Sequence, residues 1–167
     1  MSVVIRTEEA VDIDTITAVH RACFPTEGEA RLVDALRAAG RLTISLVAIA
    51  NDVVVGHVAF SPVTTADGQT GLGLGPIAVV ETHRRQGIGS HLVRTGLLAG
   101  KTADYGWCVV LGDPACYSRF GFEPAAKFGL TDEYGGGNYF QATELAAGKL
   151  PAGAGLVRYA HEFSAFA

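Results

Sequence analysis

Two stretches of the sequence carry residue types that could do chemistry. The first is Arg84-Arg85-Gln86-Gly87-Ile88-Gly89-Ser90. Two arginines precede two glycines that flank one apolar residue, and a helix pattern then begins. Backbone N–H groups at a helix start lack intrahelical partners and lie at the positive end of the helix dipole. Gly87 and Gly89 remove side chains that would hold a ligand away from those donors, so the stretch suits an anion, a pyrophosphate in particular. His83, Arg84 and Arg85 add positive charge locally. The competing reading is a glycine-rich turn with a solvated arginine pair, and a lone G-x-G does not decide between them. A strand before it and an amphipathic helix after it favour the anion site. The second stretch is Tyr117-Ser118-Arg119-Phe120-Gly121-Phe122, in which Tyr117 either packs among aromatics or offers a phenolic proton.

Other chemistries fit less well. The Walker pattern G-x-x-x-x-G-K-[ST] is absent. Gly71-Leu72-Gly73-Leu74-Gly75 is followed by Pro76 and a strand pattern, whereas a dinucleotide fingerprint opens a helix. Cys23, Cys108 and Cys116 have no metal-ligand spacing, so no metal is expected; they read as reduced thiols packed as small hydrophobes. Cys116 adjoins Tyr117, which leaves an acyl-cysteine route conceivable in chemistry but the poorer reading.

The elements that must position these residues follow from periodicity. Val3-Val4-Ile5 reads as a first strand. Ile13, Ile16, Val19 and Cys23 recur at helical spacing, with Asp12 as N-cap, and Pro25 ends that helix. A second helix runs from Glu27 to Ala39 with Leu32, Val33 and Leu36 inward, and Gly40 stops it. Thr43 to Ala50 and Val53 to Val63 form a hairpin about Asn51-Asp52. Leu72 to Val80 is a strand broken by Gly73, Gly75 and Pro76, which mark a bulge or a close backbone approach. A helix from Gly87 to Lys101 turns Ile88, Leu92, Val93, Leu97 and Leu98 inward. Trp107 to Leu111 is a buried strand, and Pro114 opens a short helix reaching Phe120. Glu123 to Asn138 reads mainly as loop, and Tyr139 to Leu145 and Gly155 to His161 as the last strands.

The 167 residues, 49% hydrophobic and 18% charged, imply one globular domain over 1–167. A net charge of −4 argues against a general nucleic-acid binder. Met1 to Arg6 has no signal-peptide pattern, and no apolar run approaches a membrane span, so a cytoplasmic protein without a membrane partner is expected.

The loop matches the R/Q-x-x-G-x-G/A pattern of the GCN5-related N-acetyltransferase (GNAT) superfamily, with Arg84, Gly87 and Gly89 at its fixed positions. The second stretch resembles that superfamily's Y-x-x-x-G-F signature, and the order of elements is similar along nearly the whole chain. Leu111-Gly112-Asp113-Pro114 resembles an uncharacterised bacterial subgroup of predicted acetyltransferases. The resemblance implies a mixed α/β fold with a mostly antiparallel, splayed sheet of about seven strands and about four helices. It implies acetyl-CoA as cosubstrate and an amine as acceptor. Ile77, Ala78 and Val79 would offer strand backbone to the pantetheine arm. Arg84, Arg85, Gln86, Gly87, Ile88, Gly89 and Ser90 would hold the pyrophosphate. The strands would splay near Gly75-Pro76, and Tyr117 would be the general acid. The alternative is an acyl-CoA binding or sensing module without turnover.

Transfer to an amine needs a neutral amine, a donor to the carbonyl oxygen and a proton for the leaving thiolate. A phenol near pKa 10 suits a thiolate near 8.5 once both sit in a poorly solvated pocket. An N–H of Ala78 or Val79 could polarise the carbonyl. Some superfamily members place a glutamate base on the central strand, where this chain has Gly73. The substitutes are Glu27, Glu29, His57, Glu81 and Asp113. Four of them also have a plain reading: helix-start acids for Glu27 and Glu29, a core residue for His57, a cap for Asp113. A water chain could also serve. The acceptor's identity and the choice between monomer and homodimer stay open.

Overall fold

The computed structural model describes residues 2–165; Met1 and the last two residues of the 1–167 domain expectation lie outside them. The elements are β1 Val3–Thr7, α1 Ile13–Cys23, α2 Gly28–Ala38, β2 Ile44–Ala50, β3 Val53–Thr65, β4 Thr70–Val79 and α3 Ile88–Thr102. Then come β5 Trp107–Leu111, α4 Pro114–Tyr117, β6 Glu123–Pro124, β7 Leu130–Asp132, β8 Phe140–Glu144 and β9 Gly155–Tyr159. One sheet runs β1-β2-β3-β4-β5-β8-β6, and β9 pairs with β3 and β7. Pairing is antiparallel except at β4–β5 and β7–β9. The described strands number nine where about seven were expected. The two additions, β6 and β7, lie in the stretch read as loop; both are very short and pair with distant β8 and β9. Local alternation cannot report such pairing.

α3 covers one face of the sheet. Ile88, Leu92 and Val93 pack with Phe60, Leu72 and Val110 in the main core. Gly96 lets the helix approach: a Cβ there would lie 2.2 Å from Phe60 Cε1. Leu98, expected inward, is 64% exposed. It sits on the outer side of the helix, and Gly96 with the Phe60 ring takes the inward position. α1 and α2 cover the other face through Ile16 and Val33 against Val47. His20 is also buried on α1, an inward residue the apolar spacing did not include.

Asp12 stands at the N-cap of α1 as expected, but its side chain makes no cap hydrogen bond to that helix. Its carboxylate accepts the Glu9 N–H at 2.7 Å and is held by Arg6, closing the single 3-10 turn that precedes the helix. Asn51 and Asp52 both have positive φ, 50° and 64°, the paired left-handed conformation of a tight hairpin turn.

Candidate active site

The site forms where β4 and β5 part. Their parallel pairing covers Leu72 with Cys108, Gly73 with Val109 and Leu74 with Val110, and goes no further. At Gly75-Pro76 the register on β3 slips: Phe60 faces Leu74, whereas Val58 faces Ile77. Proline has no N–H to give a ladder, and Gly75 adopts φ 137°. Past this bulge β4 follows β3 alone, and one edge of β4 is open. The hydrogen bond from Val80 N–H to the Val55 carbonyl fixes which groups face that edge. Ladder groups alternate, so Ala78 is committed to His57, and Ile77 and Val79 turn their N–H and C=O outward. Of the two amides considered for polarising a carbonyl, that of Val79 therefore faces the opening.

The glycine loop ends at this edge. Arg84 folds back, its Nε donating to the Val79 carbonyl at 2.8 Å, so it ties loop to strand. Arg85 is exposed with φ 63°, and Gln86 is exposed beside it. Gly87 is the α3 N-cap in a left-handed conformation, φ 81°. The first helical bond runs from His91 N–H to the Gly87 carbonyl at 3.0 Å, which leaves the N–H groups of Ile88, Gly89 and Ser90 without intrahelical partners. The space before them is open: a Cβ on Gly87 would meet nothing within 4 Å, and one on Gly89 only Val79 Cγ2 at 4.0 Å. A cavity of about 130 Å³ lies here, between Gly89 and Ser90 on one side and Cys116, Tyr117 and Arg119 on the other.

Tyr117 ends α4 and packs on Phe120 and, edge-on, on Phe122, at ring distances of 6.2 and 5.9 Å. Gly112 makes room for it; a Cβ there would lie 2.4 Å from Tyr117 Cε2. Burial first, then Cys116 and Cys108, holds its phenol above the ordinary tyrosine range, so the proton is in place at neutral pH.

Ile77 and Tyr117 also line a second, larger cavity of about 440 Å³. Phe24, Glu29 and Leu32 wall it from the helices, Leu74 and Val110 from the parting strands, and Tyr159 with Phe163 from the chain's end. Two polar atoms on this wall are buried without a hydrogen-bond partner, Glu29 Oε1 and the Tyr159 hydroxyl. The Tyr159 ring occupies the place beside Gly73, where a Cβ would come within 2.8 Å of Tyr159 Cε1.

Of the five residues considered as bases, Glu29 alone lines this cavity. Glu27 pairs in solvent with Arg21 at 2.8 Å and Arg31 at 3.1 Å. Asp113 accepts the Ala115 N–H at 2.9 Å and caps α4. Glu81 is exposed in a 3-10 turn. His57 is fully buried, with its two nitrogens at 2.8 Å from His20 and Ser45. The sequence reading missed Tyr159, Phe163 and Arg119. Arg119 was legible two residues past Tyr117, whereas nothing local ties Tyr159 to Gly73.

Residues 13–122 match the acetyltransferase (GNAT) family. The uncharacterized N-acetyltransferase YhbS of Escherichia coli K12 is 42% identical over 165 residues, covering 97% of this chain and 99% of that protein. The crystal structure of YhbS from Escherichia coli in complex with CoA superposes with a TM-score of 0.92 at 41% identity, covering 97% of this chain and 92% of that one. A GNAT family acetyltransferase from Brucella melitensis in complex with acetyl-CoA gives 0.81 at 36% identity, over 97% and 98%. A parted β4–β5 pair, a glycine-opened helix at its mouth and relatives that span almost the whole chain lead to one conclusion: this chain belongs to the acetyltransferase (GNAT) family.

Proposed function

We propose that the protein moves an acetyl group from acetyl-CoA to a primary amine by direct attack, with residues 1–167 acting as one cytoplasmic domain, monomeric or homodimeric. The observation that carries this reading is the meeting of two cavities at Ile77 and Tyr117. One side has the free N–H groups of α3 and the open edge of β4; the other is an apolar chamber. The residues present fit coenzyme A, since the space before Gly87 and Gly89 is one that larger side chains would fill. Arg85 through Ser90 would hold its pyrophosphate, with Arg84 bracing the loop, and Ile77, whose N–H and C=O both face the open edge, would bond the pantetheine arm. Two relatives carry CoA or acetyl-CoA in their structures.

Acetyl-CoA supplies an activated acyl carbon and a thiolate leaving group. Glu29 Oε1, buried and unpartnered, accepts the proton of the attacking amine. The Val79 N–H faces the opening and stabilises charge on the carbonyl oxygen. Tyr117 delivers its proton to the sulfur. Burial raises the phenol, but it raises a thiolate in the same pocket as well, so the transfer stays close to balanced.

Thiol release from acetyl-CoA over a panel of amines tests the reading. Turnover that requires an amine, with the acetylated amine identified by mass, supports it. The filling by Tyr159 of the Gly73 space, where some superfamily members carry a glutamate base, favours a second reading, an acyl-CoA sensing module. Tight CoA binding with no acetylated product would select that one.

A further inference from the structure

We infer that the acceptor is an amine carried on an aromatic or branched apolar skeleton, seated in the larger cavity with Glu29 and Tyr159 as its polar anchors. This rests on the transfer reading above and names its substrate class. The chamber's volume, about 440 Å³, is that of a small-molecule site. Its walls are aromatic and aliphatic: Phe24, Leu32, Tyr134 and Phe163 face it, and the Tyr134 and Phe163 rings lie 6.1 and 5.0 Å from that of Tyr159.

Only a few polar atoms await a ligand there. Glu29 Oε1 has none of the partners a carboxylate oxygen needs when buried, and the Tyr159 hydroxyl, on a residue 8% exposed, has none either. Both can accept an N–H. A carboxylate and a ring of aromatic faces suit a single cation. They do not suit a chain of them. A polyamine, an aminosugar or a lysine within its peptide would bring several further polar groups against apolar walls, each losing its hydration without gaining a partner. An apolar skeleton gains on burial instead. A long acyl chain in the same space would strand Glu29 and Tyr159, so the cavity is matched to the acceptor.

The step balances. The N–C bond to the acyl carbon forms and the C–S bond breaks. The bound ammonium first gives one proton to Glu29, which passes it to water, and the neutral amine then attacks. Tyr117 gives its proton to the departing sulfur and regains one, through water, from the nitrogen's second proton, so one proton is released per turnover.

Calorimetry on the full-length protein saturated with CoA tests the assignment, using 2-phenylethylamine, 2-phenylethanol, spermidine and a lysine hexapeptide. 2-Phenylethylamine should bind at least about tenfold tighter than spermidine, the peptide or the alcohol. Glu29→Gln should bring amine and alcohol to within about twofold of each other with CoA affinity unchanged. Leu32→Trp should fill the chamber and abolish amine binding while CoA still binds. Spermidine or the peptide binding as well as 2-phenylethylamine would overturn the assignment, as would no amine binding with CoA in place. Tighter binding of decanoyl-CoA than acetyl-CoA, lost in Leu32→Trp, would give the cavity to an acyl chain instead. Failure of CoA itself to bind would sink the transfer reading, a result separate from any amine preference.

Discussion

In the proposed transfer Tyr117 and Glu29 divide the proton work, and among the described residues neither forms an ion pair. Tyr117 is placed by shape, with Gly112 beneath it and Phe122 edge-on. Removing its hydroxyl should leave that packing intact. Tyr117→Phe should lower kcat by roughly 10²–10⁴, the usual worth of a positioned acid, with CoA affinity unchanged by titration calorimetry; undiminished turnover would strip Tyr117 of the role. His57, a plausible base by type, is removed from contention by its neighbours. Glu8 accepts from Arg37 at 2.8 and 2.9 Å and from the Ser45 hydroxyl. Having donated, Ser45 accepts from His57 Nε2, which makes His57 Nδ1 the acceptor for His20 Nε2. Burial, then Arg37, lowers His20 to about 4, and burial, then His20 and Arg37, hold His57 well below the ordinary histidine range. Both are neutral in the fold. As pH drops below 6.5 the unfolded chain takes up protons that the folded one refuses, so stability is full above that pH and declines towards about 4. His20 alone should account for up to about 3 kcal/mol of that loss. Urea unfolding between pH 7.5 and 4 should show it, and His20→Gln should flatten the slope.

The elements that position the site were largely readable, because each follows a local rule. The Asn51-Asp52 hairpin, the apolar stripe of α3 and the glycine and proline in β4 lie in contiguous sequence, and each appears where its pattern predicts. Leu98 and the strands β6 and β7 were misread because their surroundings come from elsewhere in the chain. α3 shows how an element transmits packing to chemistry. Its first turn presents the N–H groups of Ile88, Gly89 and Ser90, and two turns later Gly96 sets its distance from the sheet. Gly96→Ala would place a Cβ 2.2 Å from the Phe60 ring. Overpacking of this kind costs about 1–3 kcal/mol, and relieving it must lift or tilt the helix. Both the melting temperature and CoA affinity should fall in Gly96→Ala. The added Phe60→Leu should recover much of each, since it removes the obstructing ring edge. A variant that melts lower yet binds CoA as before would separate the helix's seat from its anion-binding end.

The larger cavity is a product of the whole chain, which is why the glycine loop was legible in the sequence and this chamber hardly at all. The loop is seven contiguous residues with a local logic. The chamber is closed by Phe24, Glu29 and Leu32 from near the start and by Tyr159 and Phe163 from near the end. What joins those parts is an ion pair. Arg41, just past α2, holds Glu162 through two hydrogen bonds of 2.8 Å and so fixes the 3-10 segment His161–Ala165 against the helix. Glu162 is 8% exposed at its side chain, and Arg41's hydrogen bonds hold its carboxyl down to about 2 against the opposing effect of burial. A carboxyl lowered in the fold stabilises above its unfolded range, near pH 4.3, and loses that contribution as pH falls through about 2. Glu162→Gln should therefore melt below the wild type at neutral pH, with the difference closing as the pH is brought towards 2. Phe163 adjoins Glu162 and walls the chamber, so the same variant should raise KM for the amine severalfold and leave KM for acetyl-CoA unchanged, because the α3 end of the site lies across the sheet from this tie. Equal rises in both would mean that the ion pair supports the fold generally and not the chamber.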